Sequence, residues 1–212
     1  MIARLGILGG TFNPLHLGHL ILAQDAAEHY RLDRVLLVPC HRPPHKDDHA
    51  LVDDRHRAAM IEQEIAGNPL LECCRLELER GGISYSVDTL AQLRELHPRA
   101  RFFFIIGGDS LTELHTWHDI GRLLEGCEMI TMLRPGFLER IRAIDLRLPP
   151  PWPQRLLGNI FTGHALAVSS SEIRRRVAEH RSIRYLVPAT VEQYIQHHRL
   201  YAESEVLPSK PS

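Results

Sequence analysis

Two histidines three positions apart, His16 and His19, end the stretch Gly9-Gly10-Thr11-Phe12-Asn13-Pro14-Leu15-His16-Leu17-Gly18-His19. On a helix that spacing puts both imidazoles on one face. The stretch follows the apolar run Leu5–Leu8, so it reads as a strand breaking into a glycine turn and then opening a helix. A turn of this kind aims backbone N–H groups outward, which suits a phosphate. Amides and imidazoles converging on one point describe a polyphosphate site. The local pattern leaves blander readings open, since Gly-Gly is often only a turn and His-x-x-His is also half a metal site. Near the other end, Val168-Ser169-Ser170-Ser171-Glu172-Ile173-Arg174 sets serines just before a helix expected to begin with Glu172. Serine there is a routine helix cap.

The elements that must position these residues follow from periodicity. Apolar runs suited to buried parallel strands occur at Leu5–Leu8, Val35–Val38, Phe102–Ile106 and Met129–Leu133. Helical periodicity falls between them, at Leu20–Tyr30, Arg55–Ile65 and Val87–Leu96. Leu71–Leu78 alternates more and is expected as a strand nearer the sheet edge. This order predicts an α/β fold with a doubly wound, mainly parallel sheet. Ligands then bind at the carboxyl ends of the strands near the switch point, and the Gly9-Gly10 turn lies at such an end. His41–His49 is polar and proline-broken and should be a loop. Leu146–Leu157 holds four prolines in the five residues from Pro149 to Pro153, which argues for an irregular connector. One domain is expected over 1–201, ending in a small helical part, with 202–212 a loosely ordered tail.

Composition agrees. A chain of 212 residues suits one α/β domain that buries roughly 70% of its unfolded surface. Hydrophobic content of 44% and charged content of 24% are ordinary for a globular protein. A net charge of -1 gives no reason to expect nucleic acid or an acidic membrane as partner. No stretch approaches a membrane span, and a core strand begins at once, leaving no room for a signal peptide. Cys40, Cys73, Cys74 and Cys127 lack Cys-x-x-Cys spacing, so reduced thiols in a cytoplasmic protein are the expectation.

The full pattern resembles the nucleotidyltransferases that share a Thr/His-x-Gly-His motif, with His16-Leu17-Gly18-His19 as the match. The resemblance implies a Rossmann-like fold, with His16 and His19 facing ATP phosphates as the catalytic pair. Val168–Arg174 is similar to the Ile-Ser-Ser-Thr-x-Ile-Arg motif of the same enzymes. Ser171 stands where Thr is usual and Val168 where Ile is usual, and both keep the chemistry. By this resemblance ATP contacts fall to Gly9, Gly10, Thr11, Phe12, Gly18, Gly107, Asp109, Arg134, Ser170, Ser171 and Arg174.

The middle of the chain narrows the acceptor. Gly82-Ile83-Ser84-Tyr85-Ser86-Val87-Asp88-Thr89 turns into a helix, Gly107-Gly108-Asp109-Ser110 follows the Phe102–Ile106 strand, and His115-Thr116-Trp117-His118 comes next. Taken alone, the first is a capped helix and Trp117 a core aromatic. Together with Pro43-Pro44-His45-Lys46 and Leu133-Arg134-Pro135-Gly136 they resemble the bacterial nicotinate-mononucleotide adenylyltransferases, from Gly9 to about Val191. Asn13 stands where Asp is commoner, Ser86 for Thr, and Gly108 at a variable position. The resemblance implies adenylyl transfer from ATP to nicotinate mononucleotide, giving deamido-NAD and pyrophosphate in NAD biosynthesis. It assigns the mononucleotide to Asn13, Lys46, Tyr85, Ser86, Thr89 and Trp117, with Mg²⁺ held through ATP phosphates and no protein metal site.

A nicotinate ring is flat, electron-poor and carries a carboxylate, so it wants an aromatic face and N–H donors. Trp117 can supply the face and the amides of Tyr85 and Ser86 the donors. A mononucleotide phosphate needs no general base; it needs alignment with the α-phosphorus and neutralisation of the developing charge. The same chemistry on nicotinamide mononucleotide or phosphopantetheine, a nucleotide-binding regulator without turnover, and a metal protein built on His16, His19, His115 and His118 stand as alternatives. A weak homo-oligomer is left open.

Overall fold

The apolar runs are buried on both sides because each becomes an inner strand of a parallel sheet. The computed structural model describes residues 3–44, 51–133, 142–164 and 166–202. In chain order the elements are β1 (Arg4–Gly10), α1 (Leu17–His29), β2 (Arg34–Pro39), α2 (Asp54–Ile65), β3 (Leu71–Cys73), α3 (Leu76–Arg80), α4 (Ser86–Leu96) and β4 (Arg101–Gly107). There follow α5 (Gly108–Leu111), α6 (Ile120–Gly126), β5 (Glu128–Leu133), α7 (Trp152–Gly158), β6 (Ile160–Thr162), α8 (Ser170–Ala178) and α9 (Ala189–His197). The sheet order is β3-β2-β1-β4-β5-β6, every pair parallel. This is the doubly wound α/β architecture expected, with its switch point between β1 and β4.

Alternation along each strand sends side chains to two separate cores. Val35, Leu37, Phe103, Ile105 and Ile130 face α1, α2, α8 and α9. Leu36, Val38, Phe102, Phe104 and Ile106 face α4, α6 and α7. The small C-terminal helical part, α8 and α9, closes the first face through Ile173, Val191 and Ile195. Gly6 is required by close approach: a Cβ there would lie 2.8 Å from Leu32 Cδ1 and 3.1 Å from Ile105 Cδ1.

Three expectations need correction. The strand expected over Leu71–Leu78 is only Leu71–Cys73, followed by α3. As the edge strand, β3 has one partner, and its ladder stops where Leu37 pairs with Cys73. A continued strand would put Glu77 on the same face as Leu71, whereas α3 turns it inward to a buried hydroxyl partner, Thr89. The proline-rich connector contains α7, with Pro153 in its first turn. There the missing N–H is not needed by the helix ladder, so proline is tolerated. The serine-led helix begins at Ser170 rather than Glu172, with Ser169 as its cap. The short strand β6 had no apolar run to betray it.

Gly6→Val should lower stability by about 1–3 kcal/mol through overpacking, read as a shifted urea midpoint. Gly67→Ala, whose added methyl meets nothing within 4 Å, is the control.

Candidate active site

The carboxyl ends of β1 and β4 open into a cavity of about 380 Å³. Its walls come from the turn after β1 (Gly10, Thr11, Asn13), from His16 and His19 of the following helix, from Asp109 of α5, and from the start of α8 (Ser169 to Ser171, Arg174). Segments some 150 positions apart in sequence meet here because α8 packs back against the β1–α1 turn. The contact is polar and specific. Arg174 Nη1 donates to Asn13 O at 2.8 Å, and the Ser170 hydroxyl donates to Pro14 O at 2.9 Å.

The two histidines are arranged differently from one another. His16 is the N-cap of α1 in extended conformation, and its ring stacks on that of His19 with centroids 3.6 Å apart and planes 18° apart. The His16 N–H donates to His19 Nδ1 at 3.2 Å. An Nδ1 that accepts leaves the proton of a neutral imidazole on Nε2, so His19 is set as an Nε2–H donor. His16 is buried, and burial pulls its pKa down from 6.5 to about 4. It is neutral near pH 7. Gly18 belongs to the same construction: a Cβ there would press on the His16 ring at 3.1 Å. Phe12, at φ 46, packs its ring beneath His19 at 4.8 Å between centroids.

A second cavity of about 250 Å³ adjoins the first, and Pro43 lines both. Its walls are Tyr85 and Ser86 at the start of α4, Trp117, His118, Glu113 and the Pro43-Pro44 loop. Tyr85 is the N-cap of α4 and its ring lies against His118 at 4.3 Å. Trp117 is held edge-on by Phe104 at 5.9 Å and 77°. The first amides of α4 precede its own hydrogen-bond ladder and can serve a ligand carboxylate.

Of the residues expected to meet ATP, Gly10, Thr11, Asp109, Ser170, Ser171 and Arg174 line the first cavity. Gly9, Phe12, Gly18 and Gly107 are not part of its lining, and Arg134 lies outside the described residues. Of those expected to meet the mononucleotide, Tyr85, Ser86 and Trp117 line the second cavity. Asn13 lines the first. Thr89 lines neither: it is buried, with its hydroxyl 3.2 Å from Tyr85 O and engaged with Glu77. Lys46 lies outside the described residues.

Arg57, Glu77 and Tyr201 were not anticipated. Tyr201 donates its hydroxyl to Asn13 Oδ1 at 2.9 Å, so residues near the C-terminus brace the turn. No local pattern distinguishes an inward arginine on α2 from a solvated one. Among the described residues no three His, Cys, Asp or Glu gather where they could hold a metal ion. Nor is any described helix long and apolar enough to cross a membrane.

The family description "Cytidylyltransferase-like" matches residues 7–176. In Moorella thermoacetica, a protein named "probable nicotinate-nucleotide adenylyltransferase" is 42% identical over 200 residues, 93% of this chain and 91% of that one. A protein of the same name in Halalkalibacterium halodurans is 43% identical, over 95% of this chain and 93% of its own. The Plasmodium falciparum nicotinic acid mononucleotide adenylyltransferase complexed with NaAD shares the fold, with a TM-score of 0.75 at 22% identity over 94% of this chain and 97% of that one.

The burial of His16 has a consequence for stability. Between pH 6.5 and about 4 the unfolded chain binds a proton that folded His16 refuses. Its contribution is therefore complete above pH 6.5 and is lost as the pH falls through that window, up to about 3 kcal/mol. Urea unfolding at pH 7 and pH 4.5 should show this loss in the wild type and a smaller one in His16→Gln.

Proposed function

Since the chain belongs to the cytidylyltransferase-like family and, within it, to the nicotinate-nucleotide adenylyltransferases, we propose that it transfers the adenylyl group of ATP to nicotinate mononucleotide, giving deamido-NAD and pyrophosphate. The observation that carries this reading is the pair of adjoining cavities that share Pro43. One is walled by imidazoles, serines and an arginine, as a triphosphate needs. The other is walled by an indole and a helix start, as a flat ring bearing a carboxylate needs. The unit responsible is taken as 1–201, in the cytoplasm, with no nucleic acid or membrane partner and a weak homo-oligomer left open.

The acceptor phosphate is already a nucleophile, so the residues act by holding and neutralising. His19 offers Nε2–H to a phosphate oxygen. His16 is neutral near pH 7, and a phosphate beside it favours its protonated form. Arg174 and the Ser171 hydroxyl are assigned to the departing pyrophosphate. Lys46 is assigned to the acceptor phosphate and Arg134 to ATP on sequence alone. Enzymes of this kind use a divalent metal with ATP, and Mg²⁺ is the ion proposed. Asp109 is the one carboxylate among the described residues of the first cavity, a donor set that fits an ion carried by phosphate oxygens and water. When bound, it neutralises phosphate charge.

Pyrophosphate release from ATP with each mononucleotide tests the reading. His19→Ala should lose on the order of 10²–10³ in kcat while staying folded; near-normal turnover would remove His19 from the chemistry.

The acid should be preferred over the amide. A carboxylate takes two charge-assisted hydrogen bonds from the Tyr85 and Ser86 amides, each worth roughly 1.5–3 kcal/mol, whereas an NH₂ group would face a donor. A difference of about 3 kcal/mol is more than a hundredfold in kcat/KM. Trp117→Ala should lower efficiency with both substrates and keep their ratio. Equal kcat/KM for acid and amide in the wild type would move the chain to a dual-specificity reading.

A further inference from the structure

Arg57 is the largest fully buried side chain of the described residues, and it has no part in the chemistry above. A buried guanidinium is retained only where its donors are matched, and these are matched in an informative way. Nη1 donates to Thr11 O at 2.8 Å, in the turn that walls the nucleotide cavity. Nη2 reaches His41 O at 3.5 Å, in the loop that carries Pro43 and Pro44. Nε donates to Val52 O at 3.1 Å, next to Leu51 of the nucleotide cavity. Asp54 balances the charge and joins the same two partners, pairing through one oxygen with Arg57 and through the other with His41 Nδ1.

The path continues on the far side of His41. Its N–H donates to Ser84 Oγ at 3.0 Å. The Thr89 hydroxyl is hydrogen-bonded to the buried Glu77 carboxylate and lies 3.2 Å from the carbonyl of Tyr85, the residue after Ser84. A run of largely part-buried polar contacts thus links Thr11, on the wall of the first cavity, with Ser84 and Tyr85, on the wall of the second. Arg57 is the side chain that bonds both loops, beside the backbone bond from Cys40 N–H to Gly10 O.

We propose that Arg57 is a positioning residue that sets the nucleotide turn and the acceptor loop at the separation in-line transfer requires. The inference rests on the adenylyl-transfer reading. Each loop has its own further supports: Arg174 and Ser170 hold the turn, and Ser84 holds the acceptor loop, its Oγ accepting from the His41 N–H and its N–H donating to Arg42 O. Loss of Arg57 therefore spares each substrate's own contacts and disturbs their mutual alignment. Small misplacements of reacting groups cost on the order of 10² in rate. A lysine keeps the charge opposite Asp54 but cannot bridge two carbonyls in a fixed fork.

The test compares wild type and Arg57→Lys by pyrophosphate release, by calorimetric Kd for ATP alone and for nicotinate mononucleotide alone, and by Tm. Expected is a fall in kcat on the order of 10²-fold, with each single-ligand Kd within about threefold of wild type and a folded variant. A kcat within about threefold of wild type in the folded variant would overturn the inference. So would a kcat loss matched by an equal loss in one ligand's Kd, which marks Arg57 as support for one subsite. Amide hydrogen exchange on the wild type needs no variant: ATP alone should slow exchange at His41, and unchanged exchange there would also overturn it. Absence of pyrophosphate release by the wild type refutes the adenylyl-transfer reading, and the inference with it, whereas turnover in the wild type confines any failure to Arg57.

Discussion

A backbone carbonyl taken out of water must find a donor, and the turn between β1 and α1 sets three of them facing the protein within four residues. Thr11 O is taken by Arg57, Asn13 O by Arg174 and Pro14 O by Ser170. With its oxygens held from behind, what the turn has left to offer a ligand is N–H, the polarity a triphosphate requires. The three donors come from α2 and α8, so the turn depends on the docking of both helices. The hydrophobic face carrying Ile173, Val191 and Ile195 is thus a condition of the polar site.

The same turn explains the unequal histidines. Placing His16 at the N-cap lets its N–H fix the tautomer of His19, and the stacked rings leave His16 too poorly solvated to hold a proton. His16 is thereby neutral near pH 7. Gly18 serves this arrangement by staying out of the way of the ring rather than by any turn of its own.

Much was legible in sequence because it is local or periodic. Four apolar runs named the inner strands, since strands buried on both faces must be continuously apolar. The His-x-Gly-His and serine-arginine segments, each contiguous in sequence, line one cavity together. Trp117, Tyr85 and Ser86 were legible from their order along the chain. The misjudged elements share a cause: short structures are decided by their neighbours. β3 ends where β2 stops pairing with it, β6 exists because β5 offers an edge, and α7 accepts Pro153 because the first turn of a helix needs no N–H from it.

What the sequence by itself determined is therefore the architecture, the pairing of apolar faces and the residue types of the chemistry, because patterns of period two and 3.6 and contiguous motifs are written along the chain. Tertiary structure alone decided which of the named residues reach the cleft. Thr89, expected at the acceptor, is turned inward to Glu77, and Asn13 faces the nucleotide cavity and is braced by Tyr201 from 188 positions away. Arg57 is the clearest case. An arginine on an amphipathic helix carries no mark of whether it meets water or three carbonyls. Only the approach of the loops after β1 and β2 at the switch point gives its buried charge a purpose.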